Sequence, residues 1–215
     1  MVKHKKSFSL LGVVLLIGIL VGCDTALVSP DAGSPGDVRA SAQSTANPAP
    51  GVDSIASIAV EGEFNELVSA LVYVDTELET GVVDLFQNGT DQYTVFAPTD
   101  EAFGNLYALL SIVLDAEIAE ITDVPAPVVL DVLLYHVTEG RRASNSVVPP
   151  RRIRTITPLL GETFAVRTDA TIRDGLTGLR DDAAIVQANT SARNGLIHVI
   201  DQVIVPPSVV AVLTN

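Results

Sequence analysis

Residues 93–103 read YTVFAPTDEAF, and the two halves of this stretch ask for different structures. Tyr93, Val95 and Ala97 alternate with Thr94 and Phe96, which makes a strand apolar on both faces. Such a strand belongs inside a sheet. Pro98 has no N–H to give and stops the ladder. The Thr99 hydroxyl is placed to cap a helix, and Asp100 and Glu101 fall in its first turn, where the helix dipole favours them. The reciprocal capping box is incomplete, because Ala102 stands three residues after Thr99. Phe103, Leu106, Tyr107 and Leu110 continue at helical spacing. The two acids therefore have a structural role at a strand–helix junction and are not read as catalytic.

The pattern before this junction is helical. Ile55 and Ile58, then Phe64, Leu67, Val68, Leu71 and Val72, recur on one face, with Gly62 between two helices. Leu78, Val82, Val83, Leu85 and Phe86 extend the apolar face as far as the turn Asn88-Gly89. After the junction, Pro125 and Pro127 open a further helix, where proline is tolerated. Val129, Val132, Leu133 and His136 share one of its faces, and Gly140 is expected to end it. The remainder reads as strands at 153–156, 163–167, 170–172, 184–189 and 195–205, separated by Thr168-Asp169, Asp174-Gly175 and Asn194-Gly195, with Pro206-Pro207 closing the last. Helices followed by strands, without an internal repeat, predict one α+β domain over 52–208 and a short tail at 209–215.

The amino terminus has a different character. Lys3, Lys5 and Lys6 precede an apolar run of 12 residues, LLGVVLLIGILV (10–21). A membrane-spanning helix needs about 20 residues, so the run fits the core of a signal peptide. It ends at Gly22-Cys23, which resembles the lipobox of bacterial lipoproteins. That resemblance implies cleavage after residue 22, lipid on the Cys23 thiol and acylation of the new amine. Asp24 leaves open which membrane leaflet holds the anchor. Residues 23–51 are rich in Ser, Ala, Pro, Gly and Asp without periodicity, and read as a disordered tether with a reach of about 30 Å. The expected location is the bacterial cell envelope, lipid-anchored and extracytoplasmic.

The chain of 215 residues carries a formal net charge of -13. Removal of residues 1–22 takes away all its lysines and leaves 10 arginines against 26 acids, a net -16. Nucleic acid is not an expected partner of so acidic a surface. Residues 53–140 contain 17 acids and no Lys or Arg, while 141–215 hold nine arginines and six acids. The run 141–154, RRASNSVVPPRRIR, concentrates Arg141, Arg142, Arg151, Arg152 and Arg154. Two readings of these side chains stand side by side: a ligand patch for an anionic polysaccharide or another copy's acidic face, or pairing with the acidic helices of the same domain.

The motifs of common chemistries are missing. There is no G-x-S-x-G and no phosphate-binding G-x-x-x-x-G-K-[ST]. Cys23 is the only cysteine, and His4 is lost with the signal peptide, so only His136 and His198 remain. A His-rich metal site cannot form from two histidines. Asp169, Asp174, Asp181 and Asp182 lack calcium-loop spacing and suit turns. The expectations are no metal, no cofactor and no enzymatic activity.

Three stretches in order, YTVFAPTDEAF (93–103), LLYHVTEG (133–140) and NGLIHVIDQVIVP (194–206), resemble the first conserved box, the Tyr-His motif and the second conserved box of the fasciclin (FAS1) domain. TITPLLGETFAV resembles the family's strand–turn–strand segment. The likeness spans the whole expected domain. It implies an α+β wedge of two β-sheets flanked by a bundle of helices from the first half. It also implies that the motif residues Tyr93, Phe96, Pro98, Thr99, Phe103, Tyr135, His136 and His198 are structural, although in some animal members the Tyr-His pair lies near an integrin-recognition site. The arginine-rich run departs from the milder strand and short helix usual there. The function implied is a binding module in adhesion to cells, matrix or surfaces, with a polysaccharide or protein ligand and weak self-association. The alternative is an envelope structural lipoprotein that binds a partner protein in the periplasm.

Overall fold

The computed structural model describes residues 48–213. The signal segment, Cys23 and the tether up to residue 47 lie outside the described residues. The folded part starts earlier than residue 52. Gly51 N–H bonds the carbonyl of Ala192 and the Asp53 carbonyl accepts from Arg193 N–H, so residues 48–53 already lie along the sheet.

The first half is helical: α1 (Ile55–Glu61), α2 (Asn65–Leu78) and α3 (Val82–Asn88) precede β1 (Tyr93–Pro98), and α4 (Asp100–Leu114) follows it. A single 3-10 turn at Ile121–Asp123 leads to α5 (Ala126–Tyr135), then β2 (Val137–Glu139) and the one-turn α6 (Ser144–Val147). The second half supplies β3 (Arg154–Ile156), β4 (Phe164–Val166), β5 (Thr171–Arg173), β6 (Ala183–Ala192), β7 (Gly195–Ile200) and α7 (Pro207–Leu213).

The strands run in the order β2-β1-β7-β6-β5-β4-β3. All neighbours are antiparallel except β1 and β7, which run parallel with Tyr93 opposite Gly195 and Pro98 opposite Ile200. The wedge arises from β6. Ala183 and Ala184 pair with β5, the rest of the strand pairs with β7, and two register shifts lie between Ile185 and Thr190. Bulges of this kind bend a strand and sharpen its twist, so one strand serves both halves of the wedge.

Burial follows from β1 and β7 being covered on both faces. Val95, Ala97 and Ile197 pack with the helices, alongside Leu67, Phe103 and Leu133. Phe96 and Ile200 point the other way, into a second core with Ile156, Phe164, Val166 and Ile172. The alternation anticipated for 93–97 thus feeds two cores. Gly195 is required by closeness: a Cβ there would lie 2.1 Å from the Tyr93 carbonyl oxygen and 2.8 Å from Ile55.

The cap at the junction behaves as its sequence dictates. Thr99 is the N-cap of α4 and its hydroxyl accepts from Ala102 N–H at 3.2 Å. Asp100 does more than sit in the helix dipole. Its carboxylate accepts from the Glu66 N–H at 3.0 Å and from the Asn65 side chain at 2.9 Å. It thereby caps α2, whose own N-cap Phe64 has no side-chain acceptor.

Four boundaries differ most from the sequence reading. The strand expected at 184–189 runs from Ala183 to Ala192, because its far half pairs with β7. The helix through Val132 ends at Tyr135, not at Gly140, because residues 137–139 take up hydrogen bonds on the free side of β1. The last strand ends at Ile200; Val203–Val205 remain buried without strand pairing, held by side-chain bonds described below. Pro207 opens a helix instead of merely ending a strand. Through Val209, α7 packs beside Leu176 and Val205, so much of the expected tail is folded.

Candidate functional site

The Tyr-His pair sits where α5 meets β2. His136 is the C-cap of α5 and is 2% exposed. Its Nε2 accepts from the Ile204 N–H at 3.1 Å, so the proton resides on Nδ1, which donates to the Val132 carbonyl at 2.6 Å. Burial pushes its pKa down to about 4. His198 in β7 has the opposite tautomer. Nδ1 accepts from Asn189 N–H at 3.3 Å and Nε2 donates to the Arg142 carbonyl at 2.9 Å. Burial lowers its pKa as well. Both imidazoles are neutral and have both nitrogens engaged within the chain. A general base or metal ligand needs a free nitrogen, and neither ring has one.

The motif aromatics form a row through the second core. The Phe96 ring lies 5.6 Å from His198 and 5.2 Å, edge to face, from Phe164, which is 5.5 Å from Tyr135. Tyr135 is fully buried and donates its hydroxyl to the Thr163 carbonyl at 3.0 Å. Tyr93 stacks edge to face on Phe86 at 5.9 Å, and Phe103 lies 6.2 Å from Tyr107. Pro98 closes β1 beside an apolar cavity of about 50 Å³ that also touches Phe103, Leu133 and His136. This is well below the roughly 150 Å³ that holds a benzene-sized guest, so the cavity is a packing void.

Several buried polar side chains belong to the same frame, although the sequence marks Asn194 and Asp174 only as turn residues. Asn194 accepts from Ile55 N–H and donates to the Phe86 carbonyl, both at 2.9 Å, tying α1 and α3 to the β6–β7 turn. Asp174 accepts from Val205 N–H at 2.8 Å, Leu176 N–H at 3.0 Å and the Arg180 guanidinium at 2.9 Å. Burial raises the Asp174 carboxyl pKa against the opposing pull of Arg180 and these N–H groups. Arg180 also donates to the Val203 carbonyl at 2.7 Å, which explains how 203–205 are held without a ladder. Thr94 donates to the Gly140 carbonyl and accepts from Arg142 N–H. The only signal for these residues was an Asn or Asp at a turn, which turn chemistry alone accounts for.

The five arginines of 141–154 do not act together. The Arg141 guanidinium donates to the carbonyls of Pro48, Ala49, Ala192 and Gly195 and to the Ser191 hydroxyl. It clamps the start of the domain to the β6–β7 hairpin, and burial lowers its pKa. Arg142 donates to the Glu139 carbonyl at 3.0 Å. Arg151, Arg152 and Arg154 are exposed. Among the described residues the ion pairs join Arg167, Arg173 and Arg180 to Asp182 and Asp174, all within 167–182. None of them links an arginine to the acidic helices of the first half.

The fold and its motif residues define an α+β scaffold domain whose polar and aromatic signature is spent on its own frame. The fasciclin domain profile matches residues 62–206, and the chain belongs to that family. It is similar to Protein sll1483 of Synechocystis sp. (strain ATCC 27184 / PCC 6803 / Kazusa), 32% identical over 117 residues, covering 54% of this chain and 56% of that protein. It is also similar to Uncharacterized protein sll1735 of the same organism, 31% identical over 153 residues, covering 70% of this chain and 96% of that protein. The chain thus spans little more than half of the first relative's length. A solved FAS1 domain pair from the insect cell adhesion molecule Fasciclin I aligns at a TM-score of 0.43 and 17% identity, covering 65% of this chain and 45% of that chain.

Proposed function

We propose that this chain is a membrane-anchored, extracytoplasmic binding module that mediates adhesion to cells, matrix or surfaces. Membership of the fasciclin domain family carries the reading. The enclosed histidines support it: a domain whose titratable rings are locked inside its own frame is suited to presenting a surface, not to moving protons. Exposed Arg151, Arg152 and Arg154 are the surface groups best placed to meet an anionic polysaccharide or protein ligand. Cys23 would carry the lipid, and 23–47 would hold the domain off the membrane.

The test is adhesion itself. The intact chain displayed on lipid vesicles is expected to bind the producing cells or their extracellular polysaccharide, and to bind less at high salt. Binding to neither, with a single envelope protein captured by crosslinking in cells instead, would overturn adhesion in favour of a structural lipoprotein with a periplasmic partner. The anchor has its own check. The lysines are Lys3, Lys5 and Lys6 alone, so protein acylated at Cys23 has no primary amine. Amine-reactive dye is expected to leave the natural product unlabelled, and strong labelling would exclude the anchor.

A further inference from the structure

Two unpartnered surfaces on the described domain have complementary character. One is the strip 149–154, PPRRIR, which leads into β3 at the edge of the sheet. The side chains of Arg151, Arg152 and Arg154 have no hydrogen-bond or ion-pair partner among the described residues. Between them Ile153 is 59% exposed. Charge on an edge strand discourages unwanted strand pairing, which accounts for Arg154. It does not account for Arg151, Arg152 and a bare Ile153 ahead of the strand.

The other surface is a groove of about 470 Å³ between α1, α2 and α3. Its apolar lining includes Ala59, Val68 and Leu71, with Val60 and Val72 left 64% and 50% exposed at its rim. Glu61 lines it, and Glu63 follows just beyond the end of α1. Neither carboxylate has a hydrogen-bond or ion-pair partner among the described residues. Both stand at the carbonyl end of α1, which adds negative potential. No Lys or Arg lies in 53–140, and the Arg193 guanidinium that reaches the groove's Gln87 is bonded to that residue's carbonyl, not to a carboxylate.

We propose that the strip 149–154 of one copy docks in the α1–α2–α3 groove of a second copy, with Ile153 on the apolar lining and the flanking arginines on Glu61 and Glu63. Charge selects this occupant over the chain's own tether. Residues 24–47 carry one arginine and three aspartates, the wrong sign for an acidic groove, whereas the strip holds three arginines in four residues. Strip and groove are different surfaces of the same molecule, so the contact is head-to-tail and leads to open rows of copies instead of closed dimers. Exposed ion pairs are individually weak and screened by salt. The contact therefore gains its strength where many copies share a membrane or face each other across two. The inference rests on reading the chain as a binding module, and it fails separately from that reading.

Sedimentation of the intact chain in detergent micelles, at low and high salt, tests it. Concentration-dependent association is expected at low salt and loss of it at high salt. Replacing the strip (Arg151→Glu, Arg152→Glu) or the groove acids (Glu61→Arg, Glu63→Arg) is expected to weaken association about tenfold or more, with the circular dichroism of both proteins unchanged. Mixing the two reversed proteins restores association, because each then offers the surface the other needs. A chain that stays monomeric at every salt concentration overturns the proposal. So does association indifferent to either reversal, or a strip that binds dextran sulfate while copies remain apart. Self-association with no adhesion to cells or polysaccharide would sink the adhesive reading and leave this contact standing; adhesion without self-association would do the reverse.

Discussion

The two ends of the run 141–154 hold the same residue type and do opposite things. Arg141 faces the carbonyls of 48–49, 192 and 195, two of which also accept from Gly51 N–H and the Ser191 hydroxyl, and its planar fork collects them. Arg151 and Arg152, ten residues on, follow two prolines into solvent. Their difference teaches that an arginine's role is set by acceptors brought to it from elsewhere in the chain. Its immediate neighbours in sequence say little. A guanidinium beside converging carbonyls becomes part of the frame; one beside nothing becomes surface.

That contrast can be broken by substitution. The largest effect is expected from Arg141→Met, which takes a guanidinium donor from four carbonyls, of which Ala192 and Ala49 keep a second donor. It should cost about 3 kcal/mol, or about 6–12 °C in Tm for a domain of this size, read by thermal unfolding. Equal stability of variant and parent would show that water replaces the clamp freely.

Next comes pH, which acts on the frame and not on the exposed arginines. The His136 pKa falls from an ordinary 6.5 in the unfolded chain to about 4 in the fold. Its contribution is therefore complete above pH 6.5 and is lost as pH falls toward 4. The loss should reach about 2 kcal/mol by pH 5, seen as a lower urea midpoint. His136→Gln, less stable throughout, should lose most of that slope between pH 7 and 5. An unchanged slope would mean that other groups set it.

Smaller still is Thr99→Ala, which removes the cap of α4 at the junction and should cost about 1 kcal/mol. The smallest effect belongs to the other end of the run. Arg151→Ala with Arg152→Ala should leave stability within about 0.5 kcal/mol of the parent. A larger drop would show that these side chains also hold the fold, and would erase the contrast with Arg141.

What could be read from the sequence divides along the same line. The central strand over 93–97 and the Thr99 cap depend on neighbouring residues, and they stand as read. So do the proline-opened helix α5 and the helices-then-strands order. Pro98 does not stop the ladder, since it pairs with Ile200 and Thr99 N–H bonds the Ile200 carbonyl beyond it. The clamp of Arg141, the bonds from Asp174 and Arg180 to 203–205 and the Asn194 tie were not legible. Each joins segments far apart in sequence, and nothing local marks the partner. The helix end at Tyr135 was hidden for the same reason, since no glycine or proline interrupts 128–139 and only the vacant side of β1 draws 137–139 into a strand. Tyr135, His136 and His198 stood out as motif residues. Their enclosure, with opposite tautomers, is set by the Ile204 and Asn189 amides, which have no sequence signature.

The parallel pairing of β1 with β7 also fixes an order of events in time. The strand at 93–98 can gain its second neighbour only once residues 195–200 have been made and brought back across the intervening chain. Such long-range closure is slow compared with local helix formation. A chain emerging amino end first would expose half-formed β1, apolar on both faces, until residues 195–200 emerge. Truncation before Gly195 should therefore yield an aggregating product and not a smaller domain.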